Sequence, residues 1–165
     1  IPVQVISFRS QRSYTILQRL KGYESTDNAD GIFSFFTAGN NRDGLALRAL
    51  QPLFSENGEK GKKRILLVLT DAVVLDLQKA YVPGTFSRGQ EYQEALAAED
   101  TRETIQMLRK QGIRVAAIFK GGNYALEDLK TIYGSAFVRI REIRQLPEAV
   151  IGLLLRILGE LKEQG

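Results

Sequence analysis

Three observations predict an α/β domain of three-layer, Rossmann-like architecture, with a mostly parallel central sheet and helices on both faces. Residues 65–69 read Ile-Leu-Leu-Val-Leu between charged neighbours, the pattern of a strand buried on both faces of a sheet. From residue 45 onward, helix-like and strand-like segments alternate, as parallel strands joined by right-handed crossovers do. A chain of 165 residues is long enough to bury one real core and fits one domain.

The elements follow in chain order. Residues 2–8 alternate β-branched and polar positions and read as a strand; Gln11–Arg12 is a turn, and residues 14–20 form a second, antiparallel strand. Residues 26–31 are rich in turn formers, and a short apolar helix covers 32–36. The polar loop Gly39-Asn40-Asn41-Arg42-Asp43-Gly44 opens a helix over 45–54, with Leu45, Leu47, Leu50 and Leu53 as inward positions. A charged, glycine-rich connector over 55–63 delivers the chain to the 65–69 strand, which stops at Thr70-Asp71. Residues 72–98, with Pro83-Gly84, Gly89 and the aromatics Tyr81, Phe86 and Tyr92, read as a long irregular segment, of the kind that in compact domains carries function. A helix is expected from Asp100, with Glu103 as its capping-box partner, Thr101, Ile105 and Leu108 as its inner stripe, and Gly112 as its stop. A strand over 113–119, a helix over 124–133, a strand over 137–143 and a closing helix over 146–161, with Pro147 in its first turn, complete the alternation.

Composition narrows the chemistry. The hydrophobic fraction of 44% and charged fraction of 25% are those of a globular protein. The chain has no cysteine and no histidine, which excludes disulfides, thiolate metal sites, Ser-His-Asp hydrolysis and zinc catalysis of the ordinary kind. Any metal must be held by oxygen, which selects magnesium, manganese or calcium. No apolar run reaches the length of a membrane span and no signal peptide is visible, so the cytoplasm is the expected compartment. The net charge of +4 draws on Lys60, Lys62, Lys63 and Arg64. These read as a solvated approach to a strand rather than a nucleic-acid surface, because the interleaved aromatics of single-strand binders are missing.

In open parallel sheets, ligands bind beyond the carboxyl ends of the strands, where sequence position puts Asp71. A carboxylate there is a natural hard-cation ligand; the structural alternative is a helix cap or turn closure. Asn41-x-Asp43-Gly44 presents two oxygen-bearing side chains two residues apart, with the alternative of a turn plus N-cap. Both loops are expected at one edge of the sheet.

This combination resembles the von Willebrand factor A domain, in the bacterial branch found in nitric oxide reductase activation proteins and a cobaltochelatase subunit. The resemblance covers essentially the whole chain. It is carried by Val5-Ile6-Ser7-Phe8-Arg9-Ser10, Asn41-Arg42-Asp43-Gly44-Leu45-Ala46, residues 65–71, Glu99-Asp100-Thr101 followed by Gly112-Ile113, and Tyr133-Gly134 with Phe137-Val138-Arg139-Ile140 and Leu146-Pro147. It implies a metal-ion-dependent adhesion site in which magnesium (or manganese or calcium) accepts a carboxylate from a protein partner. Asn41 and Asp43 match its second loop and Asp71 its third. It further implies a MoxR-like or chelatase-type AAA+ ATPase as partner, acting in activation or metallation of a target enzyme.

Two departures are visible. The Asp-x-Ser-x-Ser loop of the family's first strand is absent from residues 1–165. The chain is therefore expected to be a single such domain truncated at its N-terminus, with that loop about 25–35 residues upstream of Ile1, the span of a strand and a helix at ordinary lengths. Ala72-Val73-Val74-Leu75-Asp76 stands where relatives often read Gly-x-Pro-x-Asp. Competing readings are a degenerate member that binds partners without metal and an aspartate-dependent phosphatase. Val73, where such phosphatases carry a second Asp, weighs against the latter.

Overall fold

The structure, a computed structural model, describes residues 2–11, 14–24, 30–34, 39–56, 63–73, 76–80 and 90–163. Strands β1 (Val5–Gln11) and β2 (Tyr14–Lys21) form an antiparallel pair, in register from Ile6 opposite Arg19 to Gln11 opposite Tyr14. A 3-10 turn covers Asp30–Ser34. Helices α1 (Asp43–Ala49) and α2 (Gln51–Glu56) then lead to β3 (Arg64–Thr70). The remaining elements are β4 (Asp76–Ala80), β5 (Gln90–Tyr92), α3 (Glu94–Lys110), β6 (Ile113–Phe119), α4 (Leu126–Tyr133), β7 (Phe137–Arg139) and α5 (Leu146–Glu163).

The expected α/β, Rossmann-like architecture is present. β3, β6 and β7 form a parallel sheet in that order, with Arg64 opposite Ile113 and Ala117 opposite Phe137. Side chains of a strand alternate between faces, and β6 divides accordingly. Ile113, Val115, Ala117 and Phe119 join Ile105 and Leu108 of α3 and Leu129, Ile132 and Tyr133 of α4 in one core. Ala116 and Ile118 join Ala149, Leu153 and Ile157 of α5 in a second core on the opposite face. Thr101, Ile105 and Leu108 are fully buried, as the α3 stripe predicts, and Gly112 closes the helix at φ +81°, a conformation that favours glycine.

The structure corrects several boundaries. The single helix over 45–54 is two, because Pro52 has no N–H to give to the carbonyl four residues back. Helix α3 starts at Glu94, with Gln93 as N-cap, rather than at Asp100. The Glu94-Ala-Leu-Ala-Ala run is a strong helix former, and Asp100 lies inside the helix, where its carboxylate bonds Arg48 and Tyr92 instead of acting as a cap. The segment over 72–98 contains an antiparallel pair, β4 with β5. β7 stops at Arg139, and a 3-10 turn occupies Ile143–Gln145. β3 is not buried on both faces. Only Val68 is buried, and Leu69 is 56% exposed, because among the described residues β3 pairs with β6 alone and forms the edge of its sheet. The turn at Arg12, most of the 26–31 turn, the end of the 32–36 helix, Lys60 and Lys62, and the aromatics Tyr81 and Phe86 lie outside the described residues.

Candidate functional site

At the carboxyl ends of β3, β6 and β7, a crevice of about 410 Å3 is lined by Thr70 of β3, Asp71 just beyond it, Asn41 and Asp43 at the start of α1, Lys120 after β6, Phe8 from the middle of β1, and the apolar Leu69, Ile118, Ile140, Ile143 and Leu146. The three residues singled out in the sequence, Asn41, Asp43 and Asp71, thus meet in one space, although 28 residues separate Asp43 from Asp71.

Asp43 is 2% exposed and accepts a hydrogen bond from Asn41 Nδ2 at 2.9 Å. Its pKa is pushed up to about 7. Burial is the largest cause; the Asn41 bond acts in the opposite sense, and the nearby Asp71 carboxylate adds a further upward push. Asp43 in turn raises the pKa of Tyr133, whose main cause is again burial. The Tyr133 hydroxyl is buried and, among the described residues, has no hydrogen-bond partner. Asp71 is exposed. Its Oδ1 accepts the Val73 N–H at 3.1 Å, and Thr70 Oγ1 accepts the Ala72 N–H at 2.8 Å. These two bonds shape a turn in which Ala72 takes φ +57°, a left-handed conformation costly for a residue with a Cβ.

The Asn41–Asp43 loop is held from behind. Asp76, 1% exposed at the start of β4, accepts from Arg42 Nε at 2.6 Å and from Asn40 Nδ2 at 3.2 Å. Tyr92, at the end of β5, accepts the Gly44 N–H at 3.2 Å, donates to Asp100 Oδ2 at 2.5 Å, and lies 5.8 Å beneath the Arg42 guanidinium. Asp100 also receives Arg48 Nη1 at 2.5 Å. A Cβ on Gly44 would sit 2.1 Å from Asp100 Oδ2, so only glycine admits this approach. Asn40 completes the frame through a backbone bridge to Ser10 of β1.

The side-chain oxygens of the crevice, on Asn41, Asp43, Thr70 and Asp71, are hard donors of the kind that suits magnesium, manganese or calcium. Asp43, raised chiefly by burial and further by Asp71, and Asp71 itself are the two acidic groups of the crevice, which Lys120 also lines. Among the described residues no three acidic side chains converge as a ready-made metal cluster. Asn41 and Thr70, and oxygens from outside the described residues or from water, would have to complete the shell. Asp76, Arg42, Tyr92 and Asp100 escaped the sequence reading as parts of this site. In the sequence Asp76 stands only as the last residue of the altered 72–76 turn, and Tyr92 as one aromatic in an irregular stretch.

No family model matches the chain, and no curated protein matches it. Among solved structures the chain is similar to the pilus adhesin SpaC from Lactobacillus rhamnosus GG. The TM-score is 0.54 at 14% identity, over 97% of this chain and 24% of the adhesin. This chain therefore spans about a quarter of that protein's length, and the likeness is one of fold. Among the described residues no helix is long and apolar enough to cross a membrane.

Proposed function

We propose that this chain is a von Willebrand factor A-like, metal-dependent protein-binding module rather than an enzyme. The observation that carries this reading is the meeting of Asn41, Asp43 and Asp71, from two separate loops, in one crevice at the carboxyl edge of a parallel sheet. Asp43 and Asp71 would hold Mg2+ (or Mn2+ or Ca2+) with Asn41. The cation would keep an open position for a Glu or Asp of the partner, because magnesium bound by few protein oxygens retains displaceable waters. The reading requires an Asp-x-Ser-x-Ser loop supplied from outside residues 1–165. The partner it implies is a MoxR-like or chelatase-type AAA+ ATPase, in the cytoplasm, with the pair activating or metallating a target enzyme. Likeness of fold to a protein described as an adhesin is in keeping with a binding role.

Calorimetric titration of Mg2+ into the full-length protein tests this, with and without a peptide carrying an exposed glutamate. Binding of the peptide only when Mg2+ is present supports the reading; peptide binding indifferent to Mg2+ refutes it. A second reading is a module of the same fold that binds partners without metal. Its support is that burial raises the Asp43 carboxyl to about 7, so that near neutrality a proton can take the place of the cation. Heat on peptide addition in the presence of a chelator favours that version.

A further inference from the structure

We propose that the β4–β5 hairpin sets the shape of the Asn41–Asp43 loop, with Asp76 and Tyr92 as the positioning residues. The geometry separates the loop into two sets. Residues 40, 42 and 44 are tied to the hairpin: Asn40 and Arg42 by their side chains to Asp76, and Gly44 by its backbone N–H to the Tyr92 hydroxyl. The intervening residues, Asn41 and Asp43, line the crevice. The division spans the entry to α1, which begins at Asp43 with Arg42 as its N-cap, so the tethers fix the backbone just where the loop turns into the helix. One carboxylate, Asp76, therefore grips both neighbours of Asn41. The hairpin also begins five residues beyond Asp71 and ends two residues before α3. It is the covalent link from the second candidate ligand loop to the helix whose Asp100 braces the first. The Arg42–Asp76 pair is 6% and 1% exposed. A buried charge pair adds little net stability over an apolar pair, whereas removal of one partner strands the other, so Tyr92→Phe and Asn40→Ala are the milder tests beside Asp76→Asn.

The consequence for cation binding rests on the function proposed above; the positioning claim does not. The test uses the intact protein with Tyr92→Phe, Asn40→Ala and Asp76→Asn, which remove tethers without leaving a large cavity. Amide hydrogen exchange is read at residues 40–44 and at β6, alongside Mn2+ affinity from the EPR signal of the free ion. Exchange at 41–44 is expected to quicken at least tenfold in each variant while β6 keeps its protection, and the Mn2+ dissociation constant to rise about tenfold. Unchanged exchange at 41–44 overturns the proposal. So does an equal loss of protection in β6, which would make the hairpin a support of the whole core. If the unaltered protein binds no Mn2+, the cation reading falls, and the exchange data still decide whether the hairpin shapes the loop.

Discussion

Replacing Asp43 by asparagine removes a charge from a buried site while keeping the shape and the oxygen that accepts from Asn41. The carboxyl has an ordinary value of 3.8 in the unfolded chain and about 7 in the folded one. The folded state therefore holds its proton more tightly. The stabilisation this provides is complete below about pH 4 and is lost progressively as pH rises through 7. At 1.36 kcal/mol per pKa unit, the loss from pH 3 to pH 8 is about 4 kcal/mol, of which roughly 2–3 kcal/mol falls between pH 5 and pH 8. The asparagine variant lacks this term. Melting followed by circular dichroism in chelator should show wild type falling relative to Asp43→Asn as pH rises from 5 to 8. For a chain of this size the relative fall is about 5–10 °C. Other carboxylates titrate in both proteins, so the difference isolates Asp43. A constant gap between the two melting curves across this range would refute the account of its burial.

Further outcomes follow from the same geometry. Gly44→Ala drives a methyl into Asp100 Oδ2 and should cost about 1–3 kcal/mol in urea denaturation, whereas Gly159→Ala, with nothing near its Cβ and a helical position, should stabilise by about 0.5–1 kcal/mol. Tyr133→Phe deletes a buried hydroxyl without a partner among the described residues and should be neutral or stabilising by about 1 kcal/mol; a loss above that size would reveal a bond to the hydroxyl. Because a cation needs Asp43 ionised, Mn2+ affinity should climb with pH up to about 7 and level off above it, as read by competition with a fluorescent indicator.

Much of the fold was legible because its signals are local. The run of residues 65–69 and the alternation after residue 45 lead directly to the parallel β3–β6–β7 sheet, and Gly112 marks the end of α3 as expected. The misjudged features depend on tertiary contacts. Asp100 looks like a cap in sequence, but Arg48 and Tyr92 claim its carboxylate in the folded chain, and the helix begins a turn and a half earlier. Leu69 belongs to an apolar run yet is exposed, because among the described residues strand order, not composition, leaves β3 paired on one side alone. The crevice residues Asn41, Asp43 and Asp71 could be singled out because they end or precede regular elements. Their tethers Asp76 and Tyr92 act across 34 and 48 residues of sequence, to Arg42 and Gly44, and no short-range pattern marks such pairings.

Joint action of Asp43 and Asp71 on one cation is the core of the proposed function. Counting bound Mn2+ by EPR in the full-length protein, at pH 8, tests it most directly. One ion per chain is predicted, lost in Asp71→Ala, whose exposed side chain leaves the fold stable to within about 1 kcal/mol. An Asp71→Ala protein that binds Mn2+ as tightly as wild type would contradict it.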